Sequence, residues 1–325
     1  TAGVYLGEST LFVDGQEFGT YWTDWIAKSH HYLVDNTIAI NAQPGKSYQI
    51  AMETYAGHDF PDCGSFATGP VLPGSYSFGG NEGSRRQVGT STFGIWREEA
   101  YQLYMDVITL WNLLKDLDQD DLRASKTAAA LKQFTKDVDF EQGGNERLSD
   151  YKRARENLRE ALGATNGSTA PLFFAVGNAH LDLAWLWPVA ETKRKTARTF
   201  AAQLRLLSEY PDYYYIQSQP AACEICRQYY PALFEKIKKA IGEGGFIADG
   251  AMWVEPDTNM AGGEALVRQI LHGKRYFKEV LGVDSRVLWL PDSFGYSAAL
   301  PQILMGCDVP YMVTQFTGRG WMARR

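Results

Sequence analysis

Cysteine is scarce in this chain: four residues in 325, at positions 63, 223, 226 and 307. Four thiols give no disulfide framework for a chain of this length. That excludes the disulfide-framework class of secreted domains and points to a reducing, cytoplasmic location. The one close pair, Cys223 and Cys226, has no second CxxC to complete a four-sulfur zinc site, so both are read as ordinary positions one helical turn apart. No run of eighteen apolar residues occurs, so no membrane-spanning helix is expected. The first residues lack the charged, apolar and small-residue order of an export signal. Basic residues are neither in excess nor massed: 32 Lys and Arg against 38 Asp and Glu leave a formal charge of −6. With a sequence pI near 5.5, neither nucleic acid nor an anionic membrane is expected as a partner, and neutral ligands fit better.

What the chain does have is apolar and aromatic substance. Hydrophobic residues make up 45%, enough for the cores of about two domains at roughly 150 residues each. Nine Trp and eighteen Tyr offer flat faces that can stack on sugar rings, although most aromatic residues serve as core.

Three regions follow from the local patterns. Residues 1–92 read as a β-rich, sandwich-like and partial domain with its connector. Strand patterns flank an Asp14-Gly15 turn, alternation runs over 48–55, and a Gly-, Pro- and Ser-rich stretch fills 57–92. Residues 93–165 read as a helical region, with helices near 96–115, 122–137 and 149–162; Leu103, Val107, Leu110 and Leu114 recur at helical spacing. Residues 166–325 alternate strand and helix, with strands at 172–177 (LFFAVG), 213–218 (YYYIQS), 246–251 (FIADGA), 287–290 (VLWL) and 310–314 (PYMVT). Helices are expected between them at 189–209 and 262–281, and near 298–306. That is an α/β fold with a parallel sheet, barrel-like and incomplete within this chain, and chemistry in such folds gathers at the carboxyl ends of the strands.

The polar residues at those ends are His180 and Asp182, Gln217 and Gln219, Asp249, Trp253 and Glu255, Asp292, and Gln315. In GNAHLDLAWLWP, His180 and Asp182 point to one side of extended chain, because side chains at i and i+2 share a face. Asp292, in WLPDSFGYS, is the distant acid that can join them. One imidazole and two carboxylates suit zinc, so the metal set is read as His180, Asp182 and Asp292. Each has a plainer reading. A His-x-Asp by itself is weak, and Asp292 could cap the helix near 298–306. Trp185 beside the ligand pair is a candidate sugar platform, while Trp187 reads as core. Trp253 and Glu255 are candidate substrate-binding residues; a turn at Pro256-Asp257 accounts equally well for part of that segment. His30, His31 and His58 read as surface or local hydrogen-bonding residues, and His272 as structural.

The segments GNAHLDLAWLWPVAETKRKTARTF, YIQSQP, YYPALFEKIK, GAMWVEPDTNMAGGEALVRQILHGKRYFKEVLG and VLWLPDSFGYSAALPQILMGCDV, in this order, resemble the bacterial and cytosolic branch of the α-mannosidases of glycoside hydrolase family 38. The resemblance is close over about 175–315 and looser upstream. It implies a zinc-dependent, retaining hydrolase of terminal α-mannosides or mannose-containing oligosaccharides. His180 and Asp182 fall on the family's first zinc ligands, Asp292 on its nucleophile and ligand, and Trp185 on its sugar-stacking tryptophan. Asp292 would form a covalent mannosyl-enzyme while a second carboxyl serves as acid and then base. Asn178 stands where the family often has His, which implies altered hydrogen bonding around the ligands. The family's fourth ligand, a His, and its acid/base Asp are expected beyond Arg325, and the terminal FTGRGWMARR departs from the family pattern. The chain is therefore expected to be a truncated N-terminal part, inactive by itself, of a parent able to form homo-oligomers. The alternatives are a metal-dependent sugar deacetylase using an activated water, and a non-catalytic carbohydrate-binding fragment.

Overall fold

In a computed structural model, the described residues are 8–23, 37–55, 94–167, 169–184, 187–293 and 295–314. They fall into two compact units, one of residues 93–174 and one combining 1–92 with 175–325. The connector 57–92, His30, His31, His58, Trp185 and Gln315 lie outside the described residues.

The smaller unit is helical. Strands β1 (Glu8–Val13), β2 (Gln16–Thr23) and β3 (Ile50–Tyr55) belong to the larger unit; between them and its later elements run α1 (Glu98–Asp116), α2 (Leu122–Asp137) and α3 (Arg147–Leu162). The apolar stripe of α1 buries Leu103 and Leu110 against Leu131, Ala154 and Leu158. Asp121 caps α2 by accepting the Arg123 N–H at 2.8 Å. Arg155 on α3 reaches Glu99 and Asp106 on α1, each at 2.9 Å. These local signals explain why the helix bounds fall close to those expected from periodicity.

In the larger unit, β1 and β2 form an antiparallel hairpin around Asp14 and Gly15, both at positive φ (52° and 78°), and β3 adds on the other side of β1. Among the described residues this is a single three-stranded sheet. Helix α4 (Val189–Glu209) lies along β2, and Arg194 on it meets Glu53 of β3 at 2.6 Å.

The α/β part follows. Strands β4 (Gly177–Asn178), β5 (Tyr215–Gln217) and β6 (Phe246–Ala248) form one parallel sheet in that order, and β7 (Val287–Leu290) pairs in parallel with β8 (Tyr311–Thr314) in another. Helices α5 (Pro220–Tyr229), α6 (Pro231–Gly242), α7 (Gly263–Leu281) and α8 (Leu300–Gly306) complete the alternation. One core joins Phe200, Tyr215, Ile237 and Phe246, and a second joins Met252, Ile270, Leu288 and Leu300. Cys223 and Cys226 are fully buried on α5, as two ordinary helix positions. No helix among the described residues is long and apolar enough to cross a membrane.

Four of the five strands are shorter than expected, 213–218 being reduced to Tyr215–Gln217 and 310–314 to Tyr311–Thr314. The run 172–177 becomes a ladder only at Gly177 and Asn178, with Leu172, Phe173 and Phe174 exposed, because only those two residues meet β5. The run 246–251 ends at Ala248: Asp249 turns to side-chain bonding and Ala251 takes a left-handed φ of 60°.

Candidate metal centre

The site begins where β4 ends. Past Asn178, whose side-chain amide donates to the Ile216 carbonyl at 3.0 Å, the extended chain directs His180 and Asp182 the same way. His180 Nε2 lies 3.4 Å from Asp182 Oδ1. Asp292, just beyond the end of β7, brings its Oδ2 to 3.6 Å from the same nitrogen. One ligand atom from each of the three residues lies within 4.8 Å of the others. The structure thus brings together His180, Asp182 and Asp292 from two strand ends.

Behind this cluster stand groups from β5 and from the segment after β6. Glu255, its side chain only 5% exposed, sets Oε2 at 2.6 Å from His180 Nδ1. Its Oε1 accepts the Ser218 hydroxyl at 2.5 Å. Buried Gln219 donates to the Leu181 carbonyl at 2.7 Å and accepts the Glu255 N–H at 3.4 Å. Gln217, also buried, accepts the Tyr215 hydroxyl at 3.0 Å. Ser218 lies inside the YIQSQP segment, between two glutamines at a strand end, but nothing in its type or spacing marks it as a site residue.

The charges explain the His180 titration. Burial alone would lower its pKa, but the carboxylates of Asp182 and Glu255 more than offset this and push it up to about 10. The same negative surroundings favour a cation. Three carboxylates around one imidazole, with Nε2 and two acidic oxygens converging, make a donor set that fits a divalent ion with mixed nitrogen and oxygen ligands.

Other predicted residues sit nearby in the chain. Trp253 packs edge-on against Tyr276, with ring centroids 5.5 Å apart, and lines a groove with Gln269 and exposed His272 along α7. Trp187 is buried, donating to the Thr192 hydroxyl at 3.2 Å, as its core reading requires. Asp257 accepts the N–H groups of Asn259 and Met260 at 2.9 and 3.2 Å, which makes it a turn residue. Asp249 accepts the Ser285 hydroxyl at 2.5 Å and the Val287 N–H at 3.3 Å, and so ties β6 to β7.

The family model for the N-terminal domain of family 38 glycosyl hydrolases matches residues 171–317, a span holding every site residue above. Among curated proteins, Alpha-mannosidase G of Dictyostelium discoideum is 34% identical over 218 residues, covering 67% of this chain and 20% of that protein. Alpha-mannosidase 2C1 of Homo sapiens is 32% identical over 229 residues, or 70% of this chain and 22% of that one. The Alpha-mannosidase of Saccharomyces cerevisiae is 39% identical over 143 residues, or 44% and 13% respectively. The chain thus spans about a fifth of the length of the first two relatives.

Proposed function

This chain belongs, through residues 171–317, to glycosyl hydrolase family 38, and on that premise we propose that it serves the metal-dependent, retaining hydrolysis of terminal α-mannosides. The observation that carries this reading is the convergence of His180 Nε2, Asp182 and Asp292 at two strand ends of a parallel α/β fold. These three residues would hold the cation, proposed to be Zn²⁺. Bound there, it supplies Lewis-acid polarisation and a grip on sugar hydroxyls.

The chain's own chemistry centres on Asp292, whose side chain is 46% exposed and so open to a substrate. Its carboxylate attacks the anomeric carbon as the bond to the leaving oxygen breaks, giving a covalent mannosyl ester on Asp292. A second carboxyl delivers a proton to the leaving oxygen and then takes one from the water that cleaves the ester. Trp185 and Trp253 are the proposed faces for the sugar ring. Residues 166–325 would form part of a barrel-like catalytic domain, preceded by the helical region 93–165 and the β-rich region 1–92. The free thiols Cys223, Cys226 and Cys307 support a reducing, cytoplasmic setting.

Two measurements test the reading. Titration with Zn²⁺ should give one ion per chain, removable by a chelator and lost in His180→Ala. In the complete enzyme of which this chain would be the N-terminal part, a fluorinated α-mannoside should leave its label on the peptide carrying Asp292; a deacetylase would acquire none. Zinc uptake indifferent to His180, or a label on another residue, overturns it.

A further inference from the structure

We infer that Glu255 is the positioning residue that decides which nitrogen of His180 faces the metal. The inference rests on the metal reading above and replaces the reading of Glu255 as a sugar-binding residue, because its side chain is nearly buried and its two oxygens are engaged by His180 and Ser218. An imidazole offers a metal only one of its nitrogens, and a hydrogen-bond partner on the other fixes which. Here the two sides are unequal. Nδ1 has a short contact, 2.6 Å, to a nearly buried carboxylate oxygen of Glu255, whereas Nε2 faces Asp182 and Asp292 at 3.4 and 3.6 Å. In the singly protonated ring that would bind a metal, Nδ1–H therefore donates to Glu255, and the Nε2 lone pair is aimed at the space shared with the two aspartates.

Glu255 is itself immobilised. The Ser218 hydroxyl donates to its other oxygen, and its backbone N–H donates to Gln219 Oε1. Gln219 at the same time donates to the carbonyl of Leu181, the residue between His180 and Asp182. Two consecutive residues at the end of β5 thus orient the carboxylate from one side and the ligand-bearing backbone from the other. A carboxylate held in this way acts through the imidazole.

The test uses the full chain and zinc alone. In zinc-loaded protein with ¹⁵N-labelled imidazoles, long-range ¹H–¹⁵N correlation should find His180 protonated at Nδ1 and metal-shifted at Nε2; the reverse assignment overturns the inference without any variant. Competition against a chromophoric chelator should show Glu255→Ala weakening zinc affinity by about 10- to 100-fold. Glu255→Gln, whose amide oxygen can still accept from Nδ1–H, should recover most of that loss, and Ser218→Ala should lose a smaller factor. If His180→Ala binds zinc as wild type does, the metal reading itself fails. If His180→Ala loses zinc while folded Glu255→Ala keeps wild-type affinity, only the positioning role fails. Should Glu255→Ala not fold, the nitrogen assignment in the wild-type protein decides.

Discussion

The side-chain amide of Gln219 donates to the main-chain carbonyl of Leu181 at 2.7 Å, and so holds the residue that separates His180 from Asp182. Gln219→Leu keeps the volume but strands two polar groups, the Leu181 carbonyl and the Glu255 N–H. The expected cost is about 1–3 kcal/mol, the usual penalty for an unpaired buried group. Denaturant midpoints check it, and chelator competition should show weaker zinc uptake in the same variant. An unchanged midpoint would mean that both groups find other partners.

Gly250 has no room for a side chain. A Cβ there would sit 2.2 Å from the Ser218 carbonyl oxygen and 2.5 Å from the Ser218 Cα, and backbone cannot step aside. Gly250→Ala should push the ends of β5 and β6 apart, costing about 1–3 kcal/mol as an overpacked contact does. It should also lower metal affinity, because Ser218 carries the bond to Glu255. Thermal melts and zinc titration of the same sample read both effects; a variant with normal stability would show the contact to be yielding.

In the helical unit, Asp150 gives a pH signature. The Asp139 N–H, together with Arg153, holds its carboxyl below the usual 3.8, against a smaller opposing effect of burial. A depressed acid stabilises the fold above its unfolded pKa and loses that contribution as pH falls through the folded value. Asp150→Asn should therefore melt earlier than wild type near neutrality, and the gap should narrow once the solution is acid enough to protonate Asp150. Melts followed by circular dichroism across the acid range check the sign; a gap that widens on acidification contradicts it.

The CxxC pair is expected to be chemically silent. Burial pushes the Cys223 thiol up to about 12 and raises Cys226 as well, and neither is exposed. Iodoacetamide at neutral pH should leave both unmodified in the native chain, with partly exposed Cys307 reacting before them. Serine at both positions should leave zinc stoichiometry unchanged. Metal lost from that double variant would relocate the site to α5.

What could be read beforehand was what is local. Helices α2 and α4 begin and end where the pattern of apolar residues says, because a cap at Asp121 and a proline at 188 act within one turn. His180 and Asp182 share a face for an equally local reason. Strand lengths were less legible: LFFAVG looks like a strand throughout, but a ladder exists only where β5 offers partners, at Gly177 and Asn178. The role of a polar residue depends on distant company in the same way. Glu255 stands out at a strand end, yet its partner His180 lies 75 residues away, and nothing in YIQSQP marks Ser218 as the residue that holds it. Asp249 looked equally available to a ligand and instead joins two strands.

The Asp249–Ser285 junction leaves Asp292, the proposed nucleophile, at the end of a lever. The Ser285 hydroxyl accepts the Ala251 N–H at 2.9 Å and donates to Asp249, fastening the start of β7 to the point from which the chain runs on to Glu255. From that pivot, β7 extends four residues, roughly 13 Å at the usual strand rise, before Asp292 is reached. A small tilt at the pivot is magnified into a sideways displacement of the Asp292 carboxylate relative to His180. Ser285→Ala would alter none of the groups proposed to meet sugar or cation, yet it would detune their alignment from afar.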